Sequence, residues 1–216
     1  MGISPYNCCL IGQKNVLAIN FLAHLTLSHF DPDLQTGNFL GDFVKGAAVK
    51  RLPAAIQRGI AMHRAIDHLT DTEPAVRTLN KLLYPRHGRY ASVVTDIGFD
   101  YYLYRHWETF GPTAFPAFTQ SAYANLFARR EAMTPQVQGY VNQMVKDNWL
   151  HLYTTPEGMG KVFGRLAPRL SHPELLEGVD QMLVDFDEAF NQTFLALFPR
   201  LQTLANAYRT EPTPPH

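Results

Sequence analysis

Cysteine is nearly absent from this chain, which carries only Cys8 and Cys9 among its 216 residues. Adjacent cysteines rarely pair with each other in a relaxed disulfide, and two cysteines cannot build a disulfide framework. Metal sites made of several thiolates are excluded for the same reason. This cysteine usage is typical of a protein from a reducing compartment, and we predict a cytoplasmic location.

Long apolar runs and strand-forming segments are also lacking. No apolar run reaches the roughly 20 residues that a membrane span needs, and the apolar stretch 16–27 is interrupted by Asn20 and His24. The only cluster of β-branched residues, 93–95, lies inside a helical pattern. We therefore expect neither a membrane-spanning segment nor a β-sheet.

An excess of charge of either sign is missing as well, because 19 basic residues balance 19 acidic ones. Such a balance gives no overall attraction to nucleic acid or to anionic membranes, and we expect neither as a partner. The chain also has no glycine-rich phosphate loop of the Walker type and no serine or cysteine in a nucleophile-elbow context. Nucleophilic catalysis therefore has little support.

Apolar residues recur at helical spacing along most of the chain, with prolines near the starts of several segments. A basic loop is predicted at 84–89, and Asp71 or Thr72 is predicted to cap the fourth helix. Pro199 predicts a kink or break in the last helix. The pattern indicates a single all-α domain, a helical bundle, with helices at about 18–28, 37–45, 53–69, 73–83, 90–110, 114–131, 135–153, 156–168 and 173–208.

The most informative segment is 62–71, which places several ionisable side chains on one predicted helix. His63 and Asp67 are four residues apart, so they project from one face with one turn between them. Comparable residues occur on three other predicted helices, and buried carboxylates need a shared counter-charge, which a metal ion supplies. The candidate metal ligands are His24, Asp42, His63, Asp67 and Asp96.

Each of these residues also has a simpler explanation when it is taken alone. His24 fits a hydrogen-bonded core histidine, Asp42 fits a helix cap, and Asp71 is more often a cap than a ligand. Asp100 fits an ion pair with Arg105 or a hydrogen bond with a neighbouring tyrosine. The joint pattern across four helices is what favours the metal site.

The donor set limits the metal and the chemistry. Imidazole and carboxylate without thiolate suit Mn²⁺, Mg²⁺, Fe²⁺ or Zn²⁺, and such an ion lowers the pKa of bound water and polarises a phosphate. Arg64 follows His63 and offers two hydrogen bonds to phosphate oxygens. The catalytic candidates are Asp42, His63, Arg64 and Asp67.

Three motifs in a fixed order carry a resemblance to a known family. They are Asn-Phe-Leu-Ala-His-Leu at 20–25, Gly-Asn-Phe-Leu-Gly-Asp-Phe-Val-Lys-Gly at 37–46, and Met-His-Arg-Ala-Ile-Asp at 62–67 followed by Thr70-Asp71. Together they resemble the acyl carrier protein phosphodiesterase family, over about residues 20–205. The resemblance implies a fold related to HD-type phosphohydrolases and a Mn²⁺-dependent reaction. That reaction hydrolyses 4′-phosphopantetheine from the serine of holo acyl carrier protein.

The chain departs from a strict HD motif, because His63 is followed by Arg64 instead of aspartate. The resemblance makes Asp67, one turn further along, the substitute in space. Acyl carrier proteins are acidic, so a basic rim is predicted to guide docking. The candidates for contact with the substrate phosphate or the carrier are Asn38, Lys45, Arg64, Arg86 and Arg89, with Lys50, Arg51 and Arg58 as further members of the rim.

The resemblance implies a domain at 19–208 that starts with the motif at Ile19. We expect residues 1–18 to be a flexible extension, or translation to begin at Ile19 from a non-AUG codon, and 209–216 to be a flexible tail. Two other functions stay open. One is an HD-type hydrolase of nucleotides or other small phosphoesters; the other is a non-catalytic helical binding protein with a structural polar network.

Overall fold

Helices make up the regular structure of the computed structural model, which describes residues 20–210. Over these residues there is no β-strand, and no helix is long and apolar enough to cross a membrane. The all-α class is confirmed. The α-helices are α1 (Phe21–Leu27), α2 (Pro32–Leu40), α3 (Ala54–Thr72), α4 (Pro74–His87), α5 (Ala91–Arg105), α6 (Trp107–Phe110), α7 (Phe115–Ala128), α8 (Pro135–Lys146), α9 (Pro156–Leu166), α10 (Val179–Asp185) and α11 (Asp187–Thr210).

The predicted second helix was placed too late in the chain. α2 begins at Pro32 because the Asp31 carboxylate accepts hydrogen bonds from the backbone N–H groups of Asp33 and Leu34, at 2.9 and 3.0 Å. The helix ends at Leu40. Asp42 therefore lies in the turn after α2 and not on the helix.

Prolines disturb the helices less than predicted. α4 continues to His87 with Pro85 in its last turn, so the predicted basic loop at 84–89 was wrong. α11 runs through Pro199 without a break, with the buried side chains of Phe198 and Leu201 beside it. Most helical stability in proteins comes from such tertiary packing, which outweighs the local cost of the proline.

The cap predicted for α4 was also wrong. Asp71 and Thr72 belong to the last turn of α3, and Glu73 occupies the N-cap position of α4. Three long predicted helices divide where the backbone turns. The helix predicted at 90–110 divides at His106. The one predicted at 135–153 ends before Asn148, and the one predicted at 173–208 is interrupted at Gly178. Asn148 and Gly178 both have positive φ.

A contact between two glycines brings α2 and α3 together. A Cβ atom on Gly37 would lie 2.1 Å from the carbonyl oxygen of Ile56, and one on Gly59 would lie 2.3 Å from that of Leu34. The two backbones therefore touch, with no room for a side chain between them. His63 lies one turn beyond Gly59, so this crossing carries it to the turn that follows α2.

Helix α1 is anchored by α5. The fully buried Asp100 carboxylate accepts hydrogen bonds from the backbone N–H groups of Leu22 and Ala23, at 2.9 and 2.8 Å. These N–H groups belong to the first turn of α1, which has no side-chain cap of its own. Asp100, on α5, thus caps the N-terminus of α1. The sequence had instead predicted that it would pair with Arg105 or a tyrosine. Asp100 fixes the helix that carries His24.

Candidate metal centre

His24, His63 and Asp67 converge where α1 meets α3. The Nε2 atom of His24 lies 3.4 Å from Asp67 Oδ1, and that of His63 lies 3.2 Å from Asp67 Oδ2. The two imidazole rings stack with centroids 4.2 Å apart. Ligands bound about 2.0–2.2 Å from one cation are separated by about 2.8–3.6 Å. Each histidine nitrogen therefore lies at ligand spacing from Asp67, and one donor atom from each of the three residues lies within 4.8 Å of the others.

Asp42 joins this group through His63. Its Oδ1 atom lies 3.5 Å from His63 Nε2. The turn comes this close because residue 41 has no side chain: a Cβ atom on Gly41 would lie 2.2 Å from His63 Cγ. Asp42 thus contacts one of the two histidines, whereas His24, His63 and Asp67 all contact or approach one another.

Asp96 lies at the edge of the group. The Nδ2 atom of Asn20 donates a hydrogen bond to Asp96 Oδ2 at 2.7 Å. Burial, followed by repulsion from the carboxylates of Asp67, Asp71 and Asp42, raises the pKa of Asp96 well above its usual value. Asp96 therefore lies in the field of the other carboxylates, but its hydrogen-bond partner is Asn20 and not a histidine.

The group carries more negative charge than its surroundings neutralise. Among residues 20–210, no lysine or arginine forms an ion pair with Asp42, Asp67 or Asp96. Burial also raises the pKa of Asp71, and repulsion from Asp67 adds to the effect. A cation or bound protons must balance this charge.

His63 shows how a bound proton can take that role. Burial disfavours the charged form of His63, but its hydrogen bonds to Asp42 and Asp67 outweigh burial and raise the pKa of His63 to about 10. Burial likewise opposes ionisation of Asp67, but hydrogen bonds from His24 and His63 hold its pKa well below the usual value. A positive charge is thus stabilised among these donors, and imidazole nitrogens with carboxylate oxygens are the ligands that Mn²⁺, Fe²⁺ and Zn²⁺ accept.

The raised pKa of His63 predicts how stability changes with pH in the metal-free protein. Between about 6.5, the ordinary pKa, and about 10, the folded protein keeps the His63 proton while the unfolded chain has lost it. The free energy of unfolding should therefore fall as pH rises through this window. Urea denaturation of chelator-treated protein, repeated across this pH range, measures the decline. Burial raises the pKa of Asp100 to about 8, which gives a decline of the same sign up to that pH. His63→Gln should therefore flatten the decline above about pH 8, and an identical decline there in the variant would contradict the assignment.

The remaining predicted residues lie in three places. Arg64 is exposed on α3 beside His63, and Lys45 is exposed where the chain leaves the Asp42 turn. Arg86 donates a hydrogen bond to Asp185 at 3.0 Å, and Arg89 donates one to Ser171 at 2.9 Å. These two arginines therefore contact the segment 171–185 and not the residues of the candidate metal centre.

Asn38 has a different place from the one predicted. Its side chain is fully buried, and both ends of its amide contact His24. The side chain is thus enclosed against His24 and is not exposed at the surface of the protein. Asn20, Gly41 and Asp100 were missed as parts of the site. Gly41 had a usable signal, since it follows Gly37 by one helical turn.

Comparison with known proteins gives an independent result. The family model described as "Acyl carrier protein phosphodiesterase" matches residues 19–201. Proteins with that name from Enterobacter sp. (strain 638) and Serratia proteamaculans (strain 568) are each 30% identical to this chain, over 87% of its length and 97% of theirs. The one from Salmonella agona (strain SL483) is 31% identical over the same shares. No solved structure matches the chain significantly.

The matched region contains every residue of the candidate metal centre. It begins just before Asn20 and extends into α11, so it includes the helices that bring His24, His63 and Asp67 together. On the strength of this match over most of its length, the chain belongs to the acyl carrier protein phosphodiesterase family of hydrolases.

Proposed function

We propose that this protein is a metal-dependent phosphodiesterase that removes 4′-phosphopantetheine from holo acyl carrier protein. The products are apo carrier protein and free 4′-phosphopantetheine. The observation that supports metal dependence is the convergence of His24, His63 and Asp67 within 4.8 Å of one another. Membership of the family supports the substrate.

The ion would be held by His24, His63 and Asp67. Asp42 lies beside His63, and Asp96 lies at the edge of this group. We propose Mn²⁺, which when bound lowers the pKa of a water molecule and withdraws charge from a phosphate. The two histidines are almost fully buried, whereas the Asp67 side chain is 44% exposed. The centre therefore opens to solvent on the side of Asp67, and a phosphodiester approaches from there.

Arg64 is the proposed phosphate-binding residue. It follows His63 directly on α3, and its side chain is exposed. A guanidinium donates two parallel hydrogen bonds to phosphate oxygens and keeps its charge at every relevant pH. In the proposed reaction Arg64 orients the non-bridging oxygens and stabilises the negative charge that grows on them.

The basic segment after Asp42 is the proposed docking surface for the acidic carrier. It consists of Lys45 and the short 3₁₀ helix Gly46–Arg51, whose Lys50 and Arg51 are exposed. Because this segment directly follows the Asp42 turn, a carrier bound to it holds its serine near the metal centre. Opposite charges on the two surfaces speed the encounter and fix its orientation.

Reversing one of these charges should weaken docking. Arg51→Glu is expected to raise KM for holo carrier by roughly 1.5- to fivefold, since exposed ion pairs contribute about 0.2–1 kcal/mol each, and to leave kcat unchanged. Steady-state kinetics at low and high salt measure the effect, which should shrink at high salt. Arg130→Glu is the matched control, because Arg130 also lies in a 3₁₀ helix and packs on Phe127. Equal changes in KM for the two variants would rule out a docking role for the basic segment.

Mass spectrometry of the carrier tests the proposed function. Holo carrier incubated with this protein and Mn²⁺ should lose the mass of its prosthetic group, and 4′-phosphopantetheine should appear in solution. A panel of nucleotides and small phosphoesters run beside it tests the alternative hydrolase function. Unchanged holo carrier together with nucleotide turnover would replace the proposal with that alternative, and no turnover of any substrate would favour a binding protein.

A further inference from the structure

The hydrogen bonds of Asn38 fix the orientation of its amide. The Nδ2 atom lies 2.9 Å from the backbone carbonyl oxygen of His24, which can only accept. Nδ2 is therefore the donor in this contact, and the Oδ1 atom at the other end of the amide is the acceptor. Asn38 is fully buried, so no water competes for either end.

This orientation decides which nitrogen of His24 carries the proton. Oδ1 of Asn38 lies 2.7 Å from His24 Nδ1. Because an amide oxygen has no proton to give, Nδ1 must supply the N–H, and in the neutral ring the lone pair is then on Nε2. Nε2 is the atom that faces Asp67, at 3.4 Å.

His63 provides a contrast within the same site. Its Nδ1 atom is buried and has no hydrogen-bond partner among the described residues, so no acceptor holds a proton on that nitrogen. The two rings stack on each other and share Asp67. Of the two rings, only that of His24 has a hydrogen-bond partner at Nδ1, the nitrogen that faces away from Asp67.

We infer that Asn38 is a positioning residue for the metal centre, which locks His24 in the Nδ1–H tautomer and so presents Nε2 to the ion. The inference rests on the proposed metal site but not on the identity of the substrate. Groups that accept the second N–H of a metal-binding histidine commonly raise metal affinity by roughly 10- to 100-fold. Asn38 accepts the Nδ1–H of His24 from α2, a helix that carries none of the proposed metal ligands.

Nitrogen NMR of histidine-labelled, metal-free protein tests the tautomer directly. In the neutral His24 ring, Nδ1 should give a pyrrole-type signal and Nε2 a pyridine-type signal. Asn38→Leu should abolish this preference and weaken Mn²⁺ binding, measured by calorimetry, by roughly 10- to 100-fold. Asn38→Asp keeps an oxygen acceptor for Nδ1 but loses the amide donor to the His24 carbonyl oxygen, and it should keep the Nδ1–H tautomer.

Gln35→Leu is the matched control. Gln35 is a buried amide of the same helix that donates to the carbonyl oxygen of Leu25 at 2.8 Å, and it contacts no histidine. It should lose a similar amount of stability with no change in the His24 tautomer or in Mn²⁺ affinity. A wild-type His24 whose neutral ring is protonated at Nε2 and not at Nδ1, or an Asn38→Leu variant with unchanged tautomer and affinity, would overturn the inference. Failure to act on holo carrier would refute only the proposed function, since neither readout involves the carrier.

Discussion

Replacement of His63 by alanine should lower kcat for release of 4′-phosphopantetheine by on the order of 10³-fold. The imidazole contacts both Asp42 and Asp67, so its removal deletes a ligand and leaves two carboxylates facing each other without a positive group between them. A bound metal contributes several kcal/mol to stabilisation of the transition state, and about 4 kcal/mol corresponds to a factor of 10³. Assays of purified His63→Ala at saturating Mn²⁺ measure the loss.

His87→Ala separates this effect from the general cost of deleting a buried histidine. His87 is fully buried, as His63 nearly is, but its Nδ1 atom contacts the carbonyl oxygen of Leu175, on the segment 171–185. This variant should lose stability while its kcat and Mn²⁺ affinity stay at the wild-type level. A folded His63→Ala variant that retained activity within threefold of wild type would remove His63 from the centre.

One added methyl group at Gly41 should disable the metal centre although no ligand is replaced. Gly41 has ordinary helical backbone angles, φ −54° and ψ −35°, so alanine fits the backbone. Its Cβ atom would nevertheless lie 2.2 Å from His63 Cγ, far inside van der Waals contact. The ring has to move away from Asp42, and we expect Mn²⁺ affinity to fall by at least about tenfold, as it does when the support of a ligand is lost.

Gly139→Ala is the control for this substitution. Gly139 lies in α8, and a Cβ atom there would meet nothing within 4 Å. Alanine at this position should raise stability by about 0.5–1 kcal/mol, because glycine is the poorer helix former. Calorimetric titration with Mn²⁺ compares the two variants. Wild-type affinity in Gly41→Ala would show that the position of the His63 ring does not control metal binding.

The sequence predicted the parts of the site that depend on local spacing. A separation of four residues predicted that His63 and Asp67 share a face of one helix, and their polar atoms lie 3.2 Å apart. Asn38 and Asp100 depend on long-range packing instead. Asn38 meets His24 across the α1–α2 contact, and Asp100 caps a helix 77 residues earlier in the chain. Neither contact leaves a periodic signal, so sequence patterns assigned both residues other roles.

The ends of the helices were predicted less well for a related reason. Asp31 before Pro32 is a standard start signal, and it begins α2 about five residues before the predicted start at Gly37. α11 continues through Pro199, where a kink or break was predicted, and α4 continues into the segment predicted as a basic loop. Local preferences are modest in size, and burial of apolar side chains outweighs them where the two disagree.

Anomalous diffraction at the manganese edge can locate the ion in crystals of the protein grown with Mn²⁺. We expect a single strong peak bounded by Nε2 of His24, Nε2 of His63 and the carboxylate of Asp67, with Asp42 on the His63 side. The same crystals treated with chelator should lose that peak. The absence of a peak at these atoms, or a peak elsewhere in the protein, would contradict the metal centre on which the proposed reaction depends.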